Sequence, residues 1–185
     1  MGEKIRHDAE DETLMNIPQG AYIEAQIIHK AAITGALEPF AREMEREYGV
    51  AEGMLGMGVF FQTRAIALLY ALILIPKEFW ELKSNSGIYI RLEKMFSLEG
   101  IDIRIDVSRH RGDLYKFVHH LRNALAHAHF EFSTRTFEFW DRDPRTKVEN
   151  YRAIVQEPKL MSFLEIVGSN FANYGNWPDT VEESE

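Results

Sequence analysis

The sequence predicts a mainly α-helical bundle of four to five helices with a small C-terminal β-hairpin. Three observations predict it. Over most of the chain apolar residues recur every three to five positions, as on one face of a helix. The stretch Ala65–Pro76 (AIALLYALILIP) is apolar nearly all round, which marks a central buried helix. Near residue 130 the period drops to two, in Phe130, Phe132, Phe137 and Phe139. The chain has 185 residues, 45% hydrophobic and 12% aromatic, enough for one domain with its own core.

Pro18 opens a long helix whose apolar positions are Ile23, Ile27, Ile28, Ala31, Ile33, Leu37, Phe40, Met44 and Tyr48, with Pro39 the place for a kink. Gly49, Gly53, Gly56 and Gly58 then interrupt the pattern without matching a phosphate-binding Gly-x-Gly-x-x-Gly loop. The buried helix runs from about Val59 to Ile75, where Pro76 ends or bends it. Ile88, Leu92, Met95 and Phe96 form a third amphipathic stretch, stopped by Gly100. Ile101, Ile103, Ile105 and Val107 alternate with Asp102, Arg104 and Asp106, which suits a short strand as well as a helix. Asp113 caps the next helix, built on Leu114, Phe117, Val118, Leu121 and Leu125 and reaching about Ala128. The hairpin turns at Ser133-Thr134-Arg135-Thr136, with Ala153–Val155 offering a third strand. Pro158 starts the last helix, Leu160 to about Tyr174, and Gly175 follows it.

The formal charge of -8 is unevenly placed, with -3 in residues 1–13, -4 in residues 179–185 and only -1 between them. The chain therefore reads as a flexible acidic leader (1–17), a single domain (18–175) and a flexible acidic tail (176–185). A general basic coat for nucleic acid is excluded, though a local patch is not. Without cysteine there is no disulfide, thiolate nucleophile or zinc ribbon. A charged N-terminus without a signal-peptide core, and an apolar run far below the roughly 20 residues a bilayer needs, point to a cytoplasmic protein with no membrane span.

One stretch is locally basic. Five of the seven histidines fall between His110 and His129, and from Arg104 to His129 five Lys and Arg face only Asp106 and Asp113. His119 and His120 have no histidine partner at helical ligand spacing, and His120 and His127 stand two turns, about 10.5 Å, apart, so a metal site is disfavoured. On a helical wheel, Leu114, Phe117, Val118, Leu121, Ala124, Leu125 and Ala128 share one arc, while Lys116, His119, His120, Arg122, Asn123 and His127 share the other. Arg forks onto phosphate oxygens, His moves protons near neutral pH and Asn orients either one, so the polar arc suits a phosphodiester. It also suits an ordinary solvated face. Asp141 and Asp143, around Arg142 and before Pro144, read as hairpin-exit turn residues.

The string His119-His120-Leu121-Arg122-Asn123-Ala124-Leu125-Ala126-His127 resembles the signature of the HEPN superfamily: Arg, four to six residues, then His, with a polar residue commonly after the Arg. The resemblance implies a HEPN-like helical bundle and a metal-independent endoribonuclease without cofactor, of the plasmid-borne or antiviral-defence kind. It implies Arg122 and His127 as catalytic and Asn123 as supporting them. Lys116, His119 and His120 are then candidates for substrate contact. Partners implied are RNA, a second copy of the chain in a homodimer and, for a toxin, an antitoxin protein. A HEPN-like binding or assembly module without catalysis, and an unrelated helical regulator, are the alternatives.

Overall fold

The computed structural model describes residues 9–55, 59–76, 87–105, 113–133 and 135–173. Gly56, Gly58, Asp106, Val107, Arg109, His110, Arg111, Thr134, Tyr174, Gly175, residues 1–8 and the acidic tail lie outside the described residues. The helices are α1 (Ala9–Ile33), α2 (Glu38–Tyr48), α3 (Val59–Leu69), α4 (Gly87–Met95), α5 (Leu114–Ala126) and α6 (Glu157–Ala172); α3 runs on into a π-helical turn, Tyr70–Leu74. The strands are β1 (Asp102–Ile105), β2 (Phe130–Phe132), β3 (Thr136–Arg142) and β4 (Glu149–Gln156). The fold is mainly α, as the periodicity requires. None of the described helices is long and apolar enough to cross a membrane.

The strands form more than a hairpin. The sheet is antiparallel throughout with the order β1-β4-β3-β2. Both ambiguous segments, Ile101–Ile105 and Ala153–Val155, are drawn into it, because each gives β3 or β4 a neighbour that satisfies an otherwise open edge. Phe137, Phe139, Tyr151, Ala153 and Val155 line the inner face, against α5 and α6. Phe117 of α5 is the hinge pin of that layer, its ring edge-on to Phe139 at 5.6 Å and to Phe163 of α6 at 5.5 Å.

The N-terminal half corrects two expectations. α1 starts at Ala9 rather than at Pro18, which lies buried inside it. The expected single long helix is also two, because Gly35 adopts a left-handed φ of 74° and Pro39 occupies the first turn of α2, where its missing N–H costs nothing. The periodicity misassigned the buried face as well: Ile23, Ile27, Ile28, Ile33, Phe40 and Tyr48 are exposed. What α1 buries instead is Pro18 and Ala25, with Ala21 and Tyr22 packed alongside, a small-residue face that lets α6 approach closely. Polar side chains close the seam, with the Tyr22 hydroxyl donating to Glu165 Oε1 at 2.5 Å and the Gln26 amide to Glu165 Oε2 at 2.7 Å.

Gly168 of α6 is where that approach is tightest, since a Cβ added there would overlap the Tyr22 ring near its root. A ring cannot swing away from an atom so close to its own Cβ without leaving its rotamer. Gly168→Ala is therefore expected to destabilise the domain by about 1–3 kcal/mol despite the better helix propensity of alanine. Thermal unfolding measures it. An unchanged or raised midpoint would mean that the α1–α6 seam gives way freely.

Candidate active site

Helix α5 and its C-cap carry every candidate site residue, and both ends of the helix are specified. At the start, Asp113 accepts the Tyr115 N–H at 2.9 Å, as an N-cap should. Leu114, Phe117, Val118, Leu121, Ala124 and Leu125 are buried, so the predicted core arc is the real one. At the other end the helix stops at Ala126, two residues short of the expected boundary. Ala128 adopts a left-handed φ of 54°, its N–H meets the Leu125 carbonyl at 3.3 Å, and the His129 N–H meets the Ala124 carbonyl at 2.8 Å. That pair of bonds is a Schellman closure, made here with alanine in glycine's usual place. The Tyr70 hydroxyl, presented from the π turn of α3, also donates to the Leu125 carbonyl at 3.0 Å. His127 is thus the C-cap residue, exposed, with its N–H on the Asn123 carbonyl at 3.1 Å.

Arg122 and His127 lie about 140° apart around the helix axis. Burial lifts the Tyr89 hydroxyl of α4 above its ordinary range, Tyr115 adds to this, and the charge of Arg122 opposes both. The His127 ring stands 5.7 Å from that of His129, which leads into β2 and stacks on Trp140 of β3 at 6.0 Å. Arg152 of β4 covers Trp140 at 5.2 Å. Lys116 lies beside the cap, its Nζ 3.7 Å from Asp113. His119 is exposed, stacked 6.4 Å from Tyr115, with its Nε2 3.3 Å from the Asn123 amide.

His120 departs from the expected solvated arc. It is mostly buried, stacked on Tyr151 of β4 at 4.2 Å, with Nδ1 2.9 Å from Asp141 Oδ2. The same oxygen accepts the Asn123 amide at 2.9 Å, and Asp141 Oδ1 accepts the Arg142 N–H at 2.8 Å. Asn123 therefore reaches back toward Asp141 and His119 rather than forward to His127. Among the described residues no group of three or more His, Asp or Glu side chains is arranged to hold a metal ion.

The model of the family described as HEPN pEK499 p136 matches residues 15–176, nearly the whole chain. The chain belongs to this HEPN family. No curated protein and no solved structure matches it.

In this HEPN domain the residue that sequence reasoning missed is Asp141. It is 5% exposed and lies on the core face of β3, in phase with Phe137 and Phe139, so it is a strand residue and not, as its sequence neighbours suggest, part of the hairpin-exit turn. The alternation Phe-x-Phe-x-Asp was the available signal: a carboxylate in the apolar phase of a strand must meet a partner. Asp143 does fit its turn reading, accepting the N–H groups of Arg145 and Thr146 at 2.8 Å. The β3–β4 register shifts between Asp141 and Arg142, and such bulges re-aim side chains beside sites.

Burial alone would raise the Asp141 carboxyl, but its hydrogen bonds from His120 and Asn123, the His120 charge and the Arg142 N–H outweigh it and hold the group below its ordinary value. A depressed folded pKa stabilises above the unfolded value, about 3.9, and that stability is lost as pH falls through the folded value. Asp141→Asn should accordingly lower the melting point at pH 7, with the gap to the native chain closing as pH falls below about 4. Melting curves between pH 7 and pH 3 check this. A gap independent of pH would show that the Asp141 carboxyl has the same pKa folded and unfolded, so that its hydrogen bonds do not hold it ionised.

Proposed function

We propose that this HEPN domain is a metal-independent RNA endonuclease, of the kind that serves as a toxin or antiviral nuclease. In it Arg122 holds the phosphate and His127 moves the proton, while Asn123 braces the polar arc through Asp141. The observation that carries this reading is the position of His127: an imidazole at the exposed C-cap of the helix that also carries Arg122, in a chain of the HEPN family. RNA brings its own nucleophile. His127 takes the proton of a ribose 2'-hydroxyl while the Arg122 guanidinium, planar and permanently charged, meets the charge that grows on the phosphate oxygens. Lys116 and His119, on the same polar arc, contact the strand.

Arg122 and His127 stand five residues apart, about 140° around the helix, and this division favours a homodimer in which Arg122 of one protomer serves His127 of its partner across a two-fold axis. Two inactive variants, Arg122→Ala and His127→Ala, should then restore cleavage when mixed. Equal amounts give one intact cleft in about a quarter of the positions. Light scattering should show a dimer. A mixture as dead as its components would place both residues in one protomer's site.

The activity itself is tested by incubating the protein with total RNA and with single-stranded DNA, with and without EDTA. Cleavage of RNA that persists in EDTA and spares DNA is expected, since DNA lacks the 2'-hydroxyl. Loss of cleavage in EDTA with recovery in magnesium, or equal cutting of DNA, would overturn the reading. An intact RNA pool would leave the domain a binding or assembly module.

A further inference from the structure

The ribonuclease reading assigns a group to remove a proton but none to return one to the leaving oxygen. We infer that His120, held by Asp141, is that second proton-transfer residue, a catalytic general acid, and that Asp141 is its positioning residue. This rests on the reading proposed above.

The pairing decides which ring nitrogen works. An ionised Asp141 can only accept, so the His120 nitrogen 2.9 Å away, Nδ1, carries the hydrogen between them. A protonated imidazole has a second N–H, on Nε2, and Asp141 leaves that one unused. The ring cannot turn to exchange the two, because Tyr151 lies flat against it at 4.2 Å and 15°. Among the described residues, the titratable groups in contact with it include Asp141 on β3, His119 at 5.4 Å on its own helix and Tyr151 on β4. A buried carboxylate orienting an imidazole is how hydrolytic sites fix a histidine's tautomer and direction.

Spacing fits the reaction. His120 and His127 lie seven residues apart on α5 and its cap, hence on one side of the helix and about 10.5 Å apart along it. In attack by the 2'-oxygen, the entering and leaving oxygens stand on opposite sides of phosphorus. Two hydrogen-bond reaches of about 3 Å plus the phosphoryl group between them span roughly 9 Å, close to the helical rise between the two histidine positions. His127 removes the 2'-hydroxyl proton, the 2'-oxygen bonds to phosphorus, the bond from phosphorus to the 5'-oxygen breaks, and His120 Nε2 gives its proton to that oxygen. The products are a 2',3'-cyclic phosphate and a 5'-hydroxyl, with the proton removed at one histidine balanced by the one supplied at the other.

A leaving group that needs no proton isolates this step. The probe is an oligoribonucleotide carrying a linkage the protein cuts in total RNA, made once with the natural bridging 5'-oxygen and once with a bridging 5'-sulfur. His120→Gln should slow cleavage of the oxygen substrate about 10²–10⁴-fold and cleavage of the sulfur substrate by less than about tenfold. His127→Ala should be impaired on both. Asp141→Asn keeps the side chain's shape and should show the same selective defect in milder form, so the oxygen-to-sulfur ratio remains readable if His120→Gln fails to fold. Equal losses on the two substrates, or an unimpaired His120→Gln, would overturn the assignment while leaving the ribonuclease standing. A native protein that cuts neither would remove both.

Discussion

His127→Ala is expected to lower RNA cleavage by a factor of about 10²–10⁴, the usual worth of a positioned proton-transfer group, while the fold stays intact. The side chain is exposed at the C-cap and the Schellman bonds that end α5 are all made by backbone, so no closure is lost with the ring. Surface changes of this type move stability by no more than about 0.5 kcal/mol, or roughly 2 °C for a chain of this size. Arg122→Ala should lose activity comparably, since removing a group that meets transition-state charge costs about 10²–10³ in rate. Initial rates on RNA, beside melting curves of the same preparations, read both quantities. If His127→Ala melted as early as a core variant, the histidine would be structural and the site would lie elsewhere.

The opposite pattern is expected for Phe117→Ala. Phe117 is 1% exposed and links α5 to Phe139 of β3 and Phe163 of α6, so its loss opens a cavity at the junction of three elements. Truncating such a residue costs about 3–5 kcal/mol, which lowers the melting point by roughly 6–20 °C at this size. Leu121→Ala, fully buried on the same stripe, should cost about 2–5 kcal/mol. Calorimetry or far-ultraviolet circular dichroism on heating checks both. A loss below about 1 kcal/mol for Phe117→Ala would mean that the helix-to-sheet layer repacks without it.

The contrast between these two substitutions follows from what the sequence makes legible. Helix α5 was readable because a capping Asp113 and a strict apolar period coincide there, and the structure buries the predicted residues. α1 was not: its isoleucines formed a period, but the face it buries is the small one, chosen by the close approach at Gly168 that no local pattern announces. The sheet was half legible. Alternation marked Ile101–Ile105 and Phe130–Phe139, yet pairing of β1 with β4 joins segments separated by a whole helix and depends on tertiary contact. Within the site, the motif Arg122-Asn123-x3-His127 stands out as a string, and the helical wheel put both of its ends on the polar arc. Asp141 was hidden because its partners, His120 and Asn123, lie 21 and 18 residues away on another element. The helix end was misjudged for a related reason: alanine gives no sign that it will take the left-handed position at residue 128.

The central claim is that His127 activates the RNA's own 2'-hydroxyl, and the chemistry of the product ends tests it most directly. Fragments from total RNA digested by the native protein in EDTA are analysed by mass spectrometry before any enzymatic treatment. Attack by the 2'-oxygen predicts 2',3'-cyclic phosphates on the upstream fragments and 5'-hydroxyls on the downstream ones, with neither formed by His127→Ala. Fragments ending in 3'-hydroxyl and 5'-phosphate would mean that water, not the ribose, attacks phosphorus, and would contradict the account.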